Sequence, residues 1–179
     1  MRKKIDSPVA NIHLPKLCVV DTNVPIAANG KATCTTACRL SCIDALDQIT
    51  KSLRIVMDSK DEIFDEYRRH WSRSGEPDVG DMFFKWVNDN RHNEARCIRV
   101  EITGSDDERV YEQFPKAAAL KAFDRSDRKF VAVAVGCPEK AAVLNATDTD
   151  WHHHHDALTE CGVRIHYLCP DAMKRASPG

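Results

Sequence analysis

Leu17-Cys18-Val19-Val20 is an unbroken apolar run that stops at Asp21-Thr22-Asn23. A short run with no polar alternation suits a strand buried on both faces, as strands are in a parallel sheet. Polar residues at its carboxyl end stand where open α/β sheets place their ligands. The rest of the chain repeats the theme. Ala37, Leu40, Ile43, Ala45, Leu46 and Ile49 keep helical spacing within Thr33 to Ser52. Leu53 to Met57 reads as a second strand. Asp61 to Trp71 reads as a charged helix with Ile63, Phe64 and Tyr67 on its apolar side. After the Gly75 to Gly80 loop, Asp81 to Asn88 is again helical, and Cys97 to Ile102 is a third strand. Gly104 to Leu120 reads as a polar loop with a helical turn around Glu108 to Phe114 and a break at Pro115. Phe130 to Val135 is apolar throughout and could be a strand. Ser126-Asp127 before it, with Gly136 and Pro138 after it, favour a buried helix. Ala141 to Leu144 is a fourth strand. Trp151 to Cys161 is a helix closed by Gly162, and Val163 to Leu168 is a fifth strand.

This alternation predicts a single α/β domain, an α/β/α sandwich on a mainly parallel sheet of about five strands. The domain spans 16–169, with residues 1–15 as a flexible lead-in and 170–179 as a tail. Hydrophobic residues are 42% and charged residues 30%, enough to fill a core. No window approaches ~18 apolar residues, so no membrane span is expected. The basic start lacks an apolar stretch of the secretory kind, and a cytoplasmic location is expected. A net charge of −1 excludes a strongly basic coat for non-specific nucleic-acid binding. A local basic patch and an acidic metal site would cancel in that sum. The 8 cysteines lie mostly in apolar segments, which reads as buried, reduced thiols.

Acidic residues recur at one kind of place. Asp21 follows the first strand, and Asp148 and Asp150 follow the fourth. Asp127 opens the buried helix, three residues after Asp124, and Glu62 and Glu66 lie one turn apart after the second strand. In a parallel sheet the strand ends and the following helix N-termini meet on one edge, so Asp21, Asp127, Asp148 and Asp150 can converge. Helix capping accounts for any one of them. It accounts less well for all of them together, because unpaired like charges raise one another's pKa and cost stability. A hard cation such as Mg²⁺ or Mn²⁺ removes that cost, and it supports phosphodiester hydrolysis.

Three segments carry a resemblance. Val20-Asp21-Thr22-Asn23-Val24 resembles the opening motif of the PIN-domain ribonucleases. Asp127-Arg128-Lys129-Phe130-Val131-Ala132-Val133-Ala134 resembles that family's Asp-x-x-hydrophobic-x-Ala helix. Asn145-Ala146-Thr147-Asp148-Thr149-Asp150-Trp151 resembles its last acidic motif, an Asp-x-Asp followed by an aromatic. Order and spacing agree over roughly Leu17 to Leu168. Trp71 to Arg99 is longer than a minimal domain of this kind needs, and the histidines after Trp151 are unusual.

The resemblance implies a metal-dependent ribonuclease preferring single strands. Asp21, Asp127 and Asp148 would be ligands of Mg²⁺ or Mn²⁺, and Asp150 a ligand or a group just behind one. Glu66 in Asp65-Glu66-Tyr67 looks like the family's helix glutamate, with Glu62 as the competing position. Thr22 and Asn23 would orient Asp21 or a water, and Asp124 would support Asp127. RNA is the implied substrate. A homodimer, or an antitoxin or other protein partner, is the implied assembly. Two other readings use the same acidic residues: a DNA or structure-selective nuclease, and an inactive scaffold that binds RNA or protein.

Arg125, Arg128 and Lys129 flank Asp127 and suit phosphate-backbone contacts. Arg68, Arg69, His70, Trp71 and Arg73 form a second basic cluster, interleaved further on by Glu76, Asp78 and Asp81, as a solvated helix face would be. His152 to His155 read as a polar first helical turn beside the acidic site, with a phosphate contact or proton shuttle as the alternative. Cys34, Cys38 and Cys42 recur every four residues, a buried small-residue face or, alternatively, a thiolate site.

Overall fold

The computed structural model describes residues 13–105 and 110–175. Along the chain they form β1 (Leu17–Val20), α1 (Asn23–Ala28), α2 (Thr36–Ser52), β2 (Arg54–Asp58), α3 (Glu62–His70), α4 (Val79–Asn90) and β3 (Cys97–Val100). Then come β4 (Gly104–Ser105), β5 (Val110–Tyr111), a 3₁₀ turn at Ala118–Leu120, α5 (Arg128–Gly136) and β6 (Ala142–Asn145). The chain continues with α6 (Asp150–His153), α7 (His155–Glu160), β7 (Arg164–Tyr167) and α8 (Pro170–Arg175). The five longer strands make one parallel sheet in the order β3-β2-β1-β6-β7, the core of an α/β sandwich. Cys18 lies between Ile55 and Ala142, and every residue of β1 and β6 is buried. That is why these strands are apolar on both faces.

The strand order reverses at β1. The chain moves outward to β2 and β3 on one side, then returns to β6 and β7 on the other. The crevice between the carboxyl ends of β1 and β6 is therefore the topological switch point, where open α/β sheets bind ligands. Asp21 follows the last residue of β1, and Asn145 is the last residue of β6.

Local chemistry fixes the helices. Thr35 caps α2, its hydroxyl accepting from the Cys38 N–H at 3.2 Å. At the other end the Arg96 guanidinium donates to the carbonyls of Ile49, Thr50 and Lys51. Asp58, fully buried, accepts from the Glu62 and Ile63 N–H groups and so starts α3. Asp78 and Asp81 form a reciprocal capping box on α4. Phe130 to Ala134 of α5 are all buried, and the helix packs against β1, β2 and β6. The apolar run that fitted either a strand or a helix is a helix enclosed by its neighbours.

Several expectations are corrected. Around Phe114 the described residues form no helix, only a single turn in which the Phe114 N–H donates to the Tyr111 carbonyl at 3.2 Å. Gly104–Ser105 and Val110–Tyr111 pair antiparallel instead, while 106–109 lie outside the described residues. Tyr111 is buried and donates its hydroxyl to Glu62 at 2.7 Å, a distant partner that local periodicity does not register. The helix expected over Trp151 to Cys161 breaks at His154, whose backbone (φ −104°, ψ 11°) leaves helical values. Its ring packs edge-on against Phe123. The tail expected from Pro170 is helical as α8, held by buried Met173. Within the expected lead-in, residues 1–12 lie outside the described residues, and Leu14 is buried. Not all thiols are reduced. Cys38 and Cys169 form a disulfide across 131 residues of sequence, and the other cysteines are free.

The basic residues between 85 and 99 hold the fold. Arg91 lies over the Phe64 ring and, with Arg99, pairs with Asp61. Arg96 stacks on Trp86 while it closes α2. No described helix is long and apolar enough to cross a membrane.

α4 approaches α1 so closely that Gly80 has no room for a side chain. A Cβ there would collide with the Pro25 carbonyl oxygen, and the Gly80 N–H already donates to Asn29 Oδ1 at 2.6 Å. Gly80→Ala is expected to lower unfolding free energy by about 1–3 kcal/mol, the usual range for overpacking. Urea denaturation measures it, and an unchanged midpoint would refute the close contact.

Candidate active site

Asp21, Asp127 and Asp148 each offer a carboxylate oxygen within 4.8 Å of the other two. Three separate elements bring them there. Asp21 directly follows β1, Asp127 stands at the N-cap position of α5 without a side-chain capping bond, and Asp148 sits on the turn after β6. Asp21 and Asp127 are buried, and Asp148 is half-buried.

Hydrogen bonds fix Asp21 from both sides. Its Oδ1 accepts from the Asn23 N–H at 3.0 Å, and its Oδ2 from the Trp151 indole N–H at 2.7 Å. Trp151 has no exposed surface, so its one polar atom needs this partner. Asn23 and Asn145 hold the Asp148 turn. Asn23 Nδ2 donates to Asn145 Oδ1 at 2.8 Å, and Asn23 Oδ1 accepts from the Ala146 N–H at 2.8 Å. Asn145 Nδ2 donates to the Asp148 carbonyl at 2.8 Å. Two amide side chains 122 residues apart thereby lock the β1 and β6 ends together.

Glu66, rather than Glu62, borders the triad, and its charge helps to raise the pKa of Asp21. Glu66 Oε1 accepts from the Thr22 hydroxyl at 2.5 Å, and Oε2 pairs with Lys129 Nζ at 2.6 Å. Glu62 accepts from Tyr111 and faces the β4–β5 hairpin. Tyr67, next in α3, donates its hydroxyl to the Val20 carbonyl and pins α3 to the end of β1.

Other expected site residues are placed differently. Asp150 stands behind the triad. Its N–H donates to Asp148 Oδ1 at 2.8 Å, while its own carboxylate accepts from the Asp124 N–H at 2.7 Å and meets His154 at 3.2 Å. Asp124 accepts from the N–H and hydroxyl of Ser126. Both acids therefore shape the loop that enters α5. Lys129 was expected to meet nucleic acid, and the structure corrects this. It is 1% exposed, its ammonium held by Glu66 and the Ser126 carbonyl. A buried ammonium needs a partner inside the fold, and Glu66 supplies it. Arg125 is exposed. Half-buried Arg128 lies over the Phe114 ring and donates to the Lys121 and Phe123 carbonyls. Both line a cavity of about 540 Å³ with Lys116, Lys121, Tyr111 and Phe114.

The electrostatics follow from burial. Loss of water pushes Asp21 up to about 7, with Asp148 and Glu66 adding repulsion and the Asn23 and Trp151 donors opposing the rise. Asp127 is pushed well above the carboxylate range by burial and then by Asp21 and Asp148. Asp58 and Asp81 each receive two backbone N–H groups; Asp21 also has two N–H donors, but Asp148 and Glu66 repel it as well. Three mutually repelling oxygen donors, half enclosed, fit a hard divalent cation.

Sequence reasoning missed the Trp151–Asp21 bond, the Lys129–Glu66 pair and the role of Asn145. The aromatic after Asp150 and the Asn ending an apolar strand were visible signals. The lysine carried none, because its partner lies in another helix.

Two outcomes test this arrangement. Asp21 has an unfolded pKa near 3.9, so between about 4 and about 7 the cation-free folded chain keeps a proton that the unfolded chain has released. Stability then falls as pH rises through that window, by up to about 1.4 kcal/mol per pH unit for one such group. Thermal unfolding in EDTA from pH 4 to pH 8 should show this fall, and it should be shallower in Asp127→Asn. Equal slopes in the two proteins would contradict the repulsion. Separately, Lys129→Met leaves Glu66 without its partner in a site where the lysine is fully buried. It is expected to cost about 3–5 kcal/mol in urea unfolding, part of it recovered in Lys129→Met/Glu66→Gln. A neutral Lys129→Met would refute the pair's role.

Comparison with family models, with curated proteins and with solved structures finds no match to this chain.

Proposed function

We propose that the chain is a metal-dependent endoribonuclease. The reading rests on Asp21, Asp127 and Asp148 converging within 4.8 Å at the switch point of a parallel sheet. The choice of RNA as substrate, and of Mg²⁺ or Mn²⁺ as the ion, comes from the resemblance of three motifs to the PIN-domain ribonucleases.

Asp21, Asp127 and Asp148 would hold the ion. When bound, such a cation neutralises charge on a phosphodiester and lowers the pKa of a water. The residues around the triad prepare the site. The Trp151 and Asn23 N–H groups fix the Asp21 oxygens, and the Asn23–Asn145 clamp fixes the turn bearing Asp148. Glu66 completes the acidic rim, anchored by Thr22 and Lys129. In the hydrolysis, water adds to phosphorus, one P–O ester bond breaks, and the departing ribose oxygen takes a proton. No protein nucleophile is needed. Exposed Lys116, Lys121 and Arg125, around the cavity floored by Phe114 and Tyr111, suit backbone phosphates on the strand leading to the site.

The test is cleavage of labelled single-stranded RNA and DNA with Mn²⁺, Mg²⁺ or EDTA, beside Asp148→Asn. An amide at 148 can still accept the Asp150 N–H, so the variant should fold. Losing one ligand charge is worth several kcal/mol of transition-state stabilisation, so the expected fall in rate is about a hundredfold or more. RNA cutting that needs the ion and is lost in the variant is expected. Undiminished cutting in EDTA or by Asp148→Asn, or no cutting by the folded wild type, would overturn the proposal.

A further inference from the structure

Away from the acidic site, three sulfurs meet. Cys38 and Cys42 are one turn apart on α2 and so share a face. Cys169 lies between β7 and α8. The Sγ atoms of all three lie within 4.8 Å of one another, and all three residues are buried. Cys38 and Cys169 are joined as a disulfide, with Cα atoms 5.1 Å apart, and Cys42 is a free thiol beside them. Cys34, four residues before Cys38 and just ahead of α2, lines a cavity of about 570 Å³ together with Cys38 and Cys169.

A disulfide needs two sulfurs, and here a third is held against it. We propose that Cys38, Cys42 and Cys169 form a soft-metal site of the zinc class in the reduced protein, closed when Cys38 and Cys169 are oxidised to the disulfide. The proposal rests on no part of the nuclease reading.

A dithiol reductant attacks the Cys38–Cys169 bond and forms a mixed disulfide. Its second thiol then closes the reductant into a disulfide, so two electrons pass to the protein and two thiols are left. A zinc-class ion bound by three thiolates releases one proton per thiol. Thiolate sites place sulfurs about 2.3 Å from zinc, and hence about 3.8 Å apart in a tetrahedron. Cys42 Sγ lies within 4.8 Å of both bonded sulfurs, and reduction lets Cys38 and Cys169 part towards that separation. Cys38 and Cys169 border the cavity whose wall includes Cys34, so a fourth ligand would have room to enter from there. Burial opposes a bare thiolate at Cys42, and a coordinated cation removes that opposition because the thiol loses its proton on binding. Asp171 lines the same cavity, but the three clustered ligand atoms are all sulfur, which favours a soft ion over a hard one.

The consequence is mechanical. In either state α2 is tied to the chain just before α8, by a sulfur–sulfur bond or through the ion. α8 carries Met173, whose sulfur lies 3.8 Å from Asn145 Nδ2. The tie therefore survives a change of redox conditions, and α8 keeps its seat against the clamp that holds the Asp148 turn.

Cobalt(II) is the probe, titrated into the full chain after dithiol reduction and anaerobic desalting. Thiolate-to-cobalt charge-transfer absorption, displaced by Zn²⁺, is expected. It should be lost after oxidation, once peptide mapping finds Cys38 linked to Cys169, and lost in Cys42→Ala and in Cys169→Ala. Asp148→Asn should retain it, which separates this site from the acidic one. Circular dichroism establishes that each protein is folded. If Cys42→Ala fails to fold, Cys169→Ala at the edge of α8 decides the matter. A folded, reduced chain without the band, or a band unchanged by either substitution or by oxidation, would overturn the proposal.

Discussion

Repulsion among Asp21, Asp127 and Asp148 is the interaction around which the rest of the crevice is organised. Burying carboxylates next to one another costs free energy unless they are protonated, paired or bound to a cation. The fold does not relieve the cost by moving them apart. Trp151 and Asn23 hold Asp21 in place, and the Asn23–Asn145 clamp holds Asp148 opposite. The stabilisation that maintains this arrangement comes from elsewhere, from β1 and β6 buried on both faces and from α5 packed across them.

The sheet order makes this geometry available. β1 and β6 are neighbours although they lie more than a hundred residues apart in sequence. Their carboxyl ends therefore open side by side at the switch point. α5 then brings Asp127 to the same edge through its N-terminus. A helix N-terminus favours negative charge, which eases the approach of the third carboxylate without pairing it. Glu66 is treated differently. It reaches the rim from α3, but Lys129 compensates it from α5. One helix thus supplies both an uncompensated acid at its cap and the cation that neutralises a neighbouring one.

Much of this was legible in the sequence. The apolar runs of β1, β2 and β6 follow from burial on both faces, whereas the edge strands β3 and β7 are only partly buried and carry polar residues. Asp21, Asp127 and Asp148 were readable because each follows a strand or opens a helix, and parallel topology sends such positions to one edge. What could not be read depends on side chains meeting across long separations. Lys129 looks like any basic residue near a helix start until Glu66, in α3, is seen beside it. Cys38 and Cys169 have no local signal of pairing, since 131 residues intervene. The β4–β5 hairpin was misread because its strands span only Gly104–Ser105 and Val110–Tyr111, too short for a period to show.

Position alone would have given too many candidates. Asp58 ends β2 at the same edge of the sheet, is fully buried, and on spacing alone resembles Asp21. Its carboxylate is satisfied by the first N–H groups of α3. Asp21 also receives two N–H donors, yet Asp148, Asp127 and Glu66 crowd it from the remaining side. The difference between a capping acid and a candidate ligand is therefore not burial, nor even the number of donors. It is whether other carboxylates converge on the face that the donors leave open. Only the β1–β6 crevice meets that condition among the described residues, where one group of three carboxylates lies within 4.8 Å.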